Sequence, residues 1–204
     1  LHPVAHSFPT RRSSDLIEIK EVSRIQTKDN TKTATVYQME GPAWENNKVG
    51  FRNYFDLRNG MDIFGKTTED MVLMHVGRKD TVNVQTKFDF SKSYHEVSDW
   101  GMDILKVGNS LGAGAIAMSL NDSLFRIGDN GESKFELLYE GPLKSEFRLH
   151  FPEWKAGEKT FEIVHYVSIT ANNYFYKGTL YLKNRKGGNF VTGIVNIHSD
   201  TLLH

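Results

Sequence analysis

The sequence predicts an all-β protein, built as an antiparallel sandwich or barrel. Three observations predict it. Apolar residues recur at every second position through most of the chain from residue 17 onward. Clusters of Gly, Pro and Asn separate these runs at the spacing of short strands. Helical periodicity is sparse.

The runs follow in order. KTATVYQME (32–40) sets Ala34, Val36 and Gln38 on one side and Thr33, Thr35, Tyr37 and Met39 on the other. VGFRNYFD (49–56) is cleaner, with Val49, Phe51, Asn53 and Phe55 on one face and Gly50, Arg52, Tyr54 and Asp56 on the other. Asn59-Gly60 then marks a turn. Further on, KFELLYEG puts Phe135, Leu137 and Tyr139 on one face, and Gly141-Pro142 turns the chain into SEFRLHF, which aligns Phe147, Leu149 and Phe151. TFEIVHYVSIT aligns Phe161, Ile163, His165, Val167 and Ile169. YFYKGTLYLK and FVTGIVNIH complete what reads as a series of hairpins. GDNGES (128–133) reads as another hairpin turn, since it lacks the ligand spacing of an EF-hand loop. Two stretches carry helical spacing. Residues 68–76 bring Met71, Val72 and His75 to one side, and residues 97–107 do so for Val97, Trp100, Ile104 and Val107, although Gly101 interrupts the latter.

Length and composition bound the rest. The 204 residues are 39% hydrophobic and 12% aromatic, enough for one sizeable core. Net charge is zero, so no basic stripe argues for nucleic acid. There is no cysteine, which excludes disulfides and Cys-based zinc sites and fits a bacterial exported protein. No apolar run approaches the ~20 residues of a membrane span. No HxH or HExxH spacing points to a zinc site, and neither a metal nor a cofactor is expected. Residues 6–16, HSFPTRRSSDL, lack the apolar core of a secretory signal. Back-translated, they resemble a widely used sequencing adapter, so residues 1–16 read as a non-native scar. Residues 17–204 are expected to be one sandwich domain cut short at both ends, with any export signal missing.

Polar chemistry concentrates in YHEVSDWGMD (94–103) and in the 52–56 stripe. Tyr94 and His95 supply a phenol and an imidazole side by side; the imidazole's ordinary pKa suits proton transfer near neutrality. His95 as the cap of a turn, or as the partner of a buried carboxylate, is an equally weighted reading. Arg52 offers a bidentate fork for a carboxylate and Tyr54 a ring or hydroxyl for a sugar. With Asp56 they can equally form a wet sheet face or an internal ion pair. Asp99 and Asp103 have the residue type for an acid/base pair. Trp100 fits either a sugar platform or, the favoured reading, the core. Glu96 belongs to the same polar segment, and Lys106 lies just beyond it, near Gly108. GNSLGAG (108–114) lacks the ending of a phosphate loop, so its glycines read as tight backbone geometry. His165, on an apolar face, reads as a core histidine, and His150 as a strand-face residue.

The strings AWENNKVGFRNYFDLRNGMDIFGK (43–66), YHEVSDWGMDILKVGNSLGAGAI (94–116) and DSLFRIGDNG (122–131) resemble the bacterial family called domain of unknown function 4861. That resemblance implies a large sandwich similar to the supersandwich of mutarotases and lyases. It also implies a periplasmic or otherwise exported protein of polysaccharide-degradation clusters. Its expected partner is an oligosaccharide containing uronic acid, and its expected chemistry is elimination or dehydration. On that expectation His95 is the general base, Tyr94 the proton donor, and Arg52, Tyr54, Asp56, Glu96, Asp99, Trp100, Asp103 and Lys106 the substrate contacts. A non-catalytic carbohydrate-binding sandwich and a glycoside hydrolase are the alternatives.

Overall fold

A computed structural model describes residues 28–36, 41–74, 76, 93–128, 132–183 and 188–196. The scar and the native termini expected from the sequence lie outside these residues. The described chain is all-β, with no helix among the described residues. Its strands are β1 (Thr31–Val36), β2 (Gly41–Asn46), β3 (Val49–Asn53), β4 (Met61–Lys66), β5 (Gly101–Asp103), β6 (Ala113–Leu120), β7 (Ser123–Arg126), β8 (Lys134–Glu140), β9 (Lys144–Ala156), β10 (Lys159–Thr170), β11 (Tyr176–Leu182) and β12 (Asn189–Ile194). They form three sheets, ordered β1-β2-β3-β4-β5, β11-β10-β9-β8 and β12-β6-β7. All strand pairs are antiparallel.

The period-two faces build the main core. Trp44, Val49, Phe51 and Met61 of the first sheet meet Phe147, Leu149, Phe151, Phe161, Ile163, Val167 and Ile169 of the second. The Trp44 ring lies 5.1 Å from Phe147 and 5.4 Å from Tyr176. Tyr176 donates its hydroxyl to the Ala113 carbonyl (3.0 Å), which ties the second sheet to the third. Pro152 sits where β9 carries an extra residue: Phe161 pairs with Trp154 but Ile163 pairs with Phe151. A proline without an N–H is tolerated at such a bulge.

The sequence expectations fail where alternation is broken locally. Leu137 pairs with Phe147 but Tyr139 pairs with Glu146, so Leu138 is an extra residue in β8. Past this bulge Tyr139 turns outward, and Leu137 is exposed as well. Residues 129–131 of GDNGES lie outside the described residues; the flanking β7 and β8 belong to different sheets and are not a hairpin pair. Residues 68–74 form bends and a turn in place of a helix; a single backbone bond, Val76 N–H to Val72 C=O, has helical spacing. His75 lies outside the described residues. The segment 97–107 is a turn followed by β5 and extended chain. There Gly101 has φ +129°, and a Cβ would sit 1.9 Å from the Gly65 carbonyl oxygen, so the glycine serves close strand approach. The reading of 108–114 as backbone geometry agrees with Gly112, whose φ is +66° and whose Cβ would meet the Met61 carbonyl.

β3 is buried on both faces, unlike a sheet with one wet side. Its outer face is covered by chain from 67–74, by Val76 and by 93–100. There Ala43, Phe64, Leu73 and Val76 form a second small core, joined by Tyr94 and Trp100.

His165 is the core histidine the strand pattern suggested. It is 5% exposed, its Nε2 has no hydrogen-bond partner among the described residues, and burial lowers its pKa to about 4. The unfolded chain then takes up this proton first, near the ordinary 6.5. Stability is therefore complete above about pH 6.5, falls as pH drops toward 4, and levels off below. His165→Leu is expected to remove this part of the acid slope. The urea midpoint of both proteins between pH 7 and 4 checks it; parallel curves would refute the assignment.

Candidate functional site

The site is assembled at one end of the first sheet, where β3 and β4 are linked by residues 54–60. Arg52 and Asp62 are Cα partners across β3 and β4. Their side chains point to the outer face and form an ion pair, with Arg52 fully buried and Asp62 nearly so. Arg52 also donates to two phenols, from Nη2 to the Tyr54 hydroxyl (2.7 Å) and from Nη1 to the Tyr94 hydroxyl (3.3 Å). Arg52 does form an internal ion pair, but with Asp62; Asp56 of the stripe read from sequence pairs with Arg58 instead. A guanidinium this buried does not reach a substrate.

Beyond β3 the chain turns sharply. Tyr54 N–H donates to the Gly60 carbonyl (2.9 Å), and Asn59 adopts φ +39°. Asn59 is locked by the Asn53 amide (2.7 Å) and by its own bond to the Ile116 carbonyl (3.1 Å). This turn brings Arg58 over Tyr54, with Cζ 4.1 Å from the ring centroid, while Arg52 Cζ lies 4.0 Å from the same centroid. Asp56 holds Arg58 through Nε (2.8 Å). Partial burial acts to raise the Asp56 pKa, but the Arg58 hydrogen bonds and charge overcome it and leave that pKa lowered.

The opposite wall comes from β5 and the chain after it. Asp103 N–H donates to the Tyr94 carbonyl (2.7 Å), which fixes the 94–103 loop against the strand end. His95 is exposed, and its Nδ1 lies 3.1 Å from the buried Asp103 Oδ2, close enough for an ion pair though off hydrogen-bond alignment. Asp103 Oδ1 accepts from Leu105 N–H (3.0 Å). Burial raises the Asp103 pKa; the Leu105 N–H, His95 and Arg52 oppose it without cancelling it. Burial likewise raises the Tyr54 pKa, with Arg52 and Arg58 pulling it down.

These walls enclose a cavity of about 550 Å³, within the range of small-molecule sites. Its polar lining is Tyr54, Arg58, Asp62, His95, Asp103, Lys106 and Arg126, against an apolar side of Met102, Ile104, Leu105 and Val107. Arg126 arrives from β7 in the third sheet. It donates to the carbonyls of Arg58 and Asn109, so it laces together the two chain segments that form the rim. Lys106 is exposed and makes no ion pair among the described residues.

Of the residues singled out from sequence, Tyr54, His95, Asp103 and Lys106 line this cavity. Arg52 and Tyr94 stand behind it. Tyr94 packs its ring against Phe64 (6.1 Å) and His95 (4.4 Å). Asp56, Glu96, Asp99 and Trp100 are not on its walls. Glu96 and Asp99 are exposed on the loop, and Trp100 packs 6.2 Å from Phe64, as the core reading favoured. Arg58, Asp62 and Arg126 were not expected as site residues. Arg58 and Asp62 lay in a segment read as a turn, and Arg126 carries no local signal because another sheet delivers it. Among the described residues no group of three or more His, Cys, Asp or Glu is placed to hold a metal ion. No helix there is long and apolar enough to cross a membrane.

Comparison with known proteins follows the same line. The family model described as domain of unknown function (DUF4861) matches residues 5–204. A curated relative named "Uncharacterized protein P7", from Formosa agariphila, is 30% identical over 139 residues. That match covers 65% of this chain and 35% of the relative, so the chain spans about a third of the relative's length. No solved structure matches the chain.

Proposed function

From the premise that the chain belongs to the domain of unknown function 4861 family, we propose that it is the substrate-handling part of an exported carbohydrate-active enzyme. Its substrate class is an oligosaccharide containing uronic acid, and its reaction is β-elimination, as cleavage or as loss of water. One observation carries this reading. A histidine beside a buried carboxylate, a phenol and a set of cations converge on a single cavity.

Elimination next to a carboxylate has three requirements. The carboxylate's charge must be neutralised, so that the neighbouring C–H becomes acidic; a base must take that proton; and the leaving oxygen must receive one. Lys106 and Arg58 supply positive charge at the cavity wall. His95 is the base. The Asp103 carboxylate beside Nδ1 stabilises the imidazolium that forms in the reaction, and the other ring nitrogen accepts the proton. The apolar side at Met102, Ile104 and Val107 suits the C–H face of a sugar ring. The glycoside-hydrolase reading needs two facing carboxylates. Asp99 is off the cavity wall, and Asp62 is held by Arg52.

The test is incubation of the full-length protein with a panel of uronic-acid oligosaccharides. Unsaturated product absorbance, or loss of the mass of water, is expected for at least one member. Hydrolysis without new unsaturation would replace this reading with a hydrolase. Binding without any product would replace it with a binding module.

A further inference from the structure

We infer that Tyr54 is the phenol that moves the proton in this cavity, and that the buried Arg52 is its positioning residue. The inference rests on the elimination reading above. Two tyrosines touch Arg52, but only Tyr54 is on the cavity wall. Tyr94 is turned against Phe64. Tyr54 is also the phenol lying between two guanidinium groups, with Arg52 and Arg58 at 4.0 and 4.1 Å from its centroid and Arg52 Nη2 at 2.7 Å from its hydroxyl.

This geometry suits a proton donor. Burial keeps the phenol protonated in the resting site. When it gives up its proton, the two flanking cations stabilise the phenolate, and Arg52 already faces the oxygen that becomes charged. The step balances internally. His95 takes the proton from the carbon next to the carboxylate, and the C–H electron pair becomes the new C=C bond. The C–O bond breaks, and the leaving oxygen takes the Tyr54 proton. The imidazolium then releases a proton to water, and the phenolate recovers one. Arg52 never meets the substrate. It acts through Tyr54, anchored from behind by Asp62.

Two measurements on the full-length protein test this. Tyr54→Phe is expected to lower kcat by roughly 100-fold or more, the usual size of an acid–base contribution, with little change in KM. Tyr94→Phe is expected to lose far less. Independently of turnover, the Tyr54 phenol can be titrated by NMR with Cζ-labelled tyrosine, its signal assigned by its absence in Tyr54→Phe. Removing the Arg52 cation is expected to raise that midpoint by a unit or more. The Arg52→Gln/Asp62→Asn pair does so without leaving a buried carboxylate unpaired. Arg52→Lys, which keeps the charge, is expected to move it less. The inference is overturned if Tyr54→Phe turns over normally, or if the Tyr54 midpoint is indifferent to Arg52. If the wild-type protein makes no product from any uronate, the elimination reading fails separately, and the titration alone decides the coupling of Tyr54 to Arg52.

Discussion

In the full-length protein, His95→Ala is expected to lower kcat on a uronate oligosaccharide by ~10²–10⁴-fold, the range for loss of a general base. Asp103→Asn is expected to follow it with a smaller loss. The His95 ring is largely exposed; it lies against the Tyr94 ring, and its charged neighbour is Asp103 Oδ2 at 3.1 Å. The Asp103 side chain is almost fully buried and also accepts from Leu105 N–H. An amide there keeps the shape and the Leu105 contact but removes the negative charge beside Nδ1. Steady-state kinetics of both variants check this. Activity of His95→Ala within a few fold of the wild type would remove His95 from the mechanism. Equal, total loss in Asp103→Asn with a changed circular dichroism spectrum would mark Asp103 as structural.

Lys66→Met is expected to destabilise the protein by ~3–5 kcal/mol, the cost of stripping the partner from a buried charge. Lys66 and Glu45 are essentially inaccessible, and they pair at 2.7 Å on the outer face of the first sheet. Lys66 also donates to the Asn46 carbonyl (2.7 Å), and Glu45 Oε1 accepts from Leu73 N–H (2.8 Å). The pair therefore fastens the covering segment that supplies Leu73 and Val76 to the second core. A companion Glu45→Leu/Lys66→Met protein removes both charges and is expected to recover most of the loss. Urea unfolding of the two proteins provides the comparison. A cost below ~1 kcal/mol for Lys66→Met would mean that the pair is solvated and the covering segment loose.

Much of the strand plan was legible because it depends on side-chain alternation. Phe147, Leu149 and Phe151 fall on one face in the sequence and are all buried in the fold. Phe161, Ile163, His165, Val167 and Ile169 do the same, even across the bulge, because the extra residue belongs to β9. Tyr139 was misread because its bulge lies within β8, and a one-residue insertion reverses every later side chain. The short helical patterns at 68–76 and 97–107 misled for another reason. In the first, Val72, Leu73 and Val76 do gather on one side, but the surface they cover is a sheet face; in the second, Val97 and Ile104 stand exposed while Trp100 joins that same small core. Leu73 and Val76 reach it from turns, with no helix needed.

The candidate site divides in the same way. Tyr54, His95 and Asp103 were identifiable because reactive side chains were dense in two short strings, and Lys106 because it lies just past the second. Arg52 was identifiable as important, but its direction was not. Its role followed from being placed opposite Asp62 under a covering loop, and a bare alternation pattern carries no record of that loop. Arg126 and Arg58 entered the cavity through contacts between segments far apart in the chain.

By itself, then, the sequence determined the all-β class, the faces of the long strands and the supply of acid–base side chains, because all of these are set by residue type and local spacing. Tertiary structure decided which polar side chains are buried as ion pairs and which line the cavity. Those outcomes depend on register between strands and on which loop covers which face. Both are long-range choices, made where desolvation makes an unpaired charge too costly to leave alone.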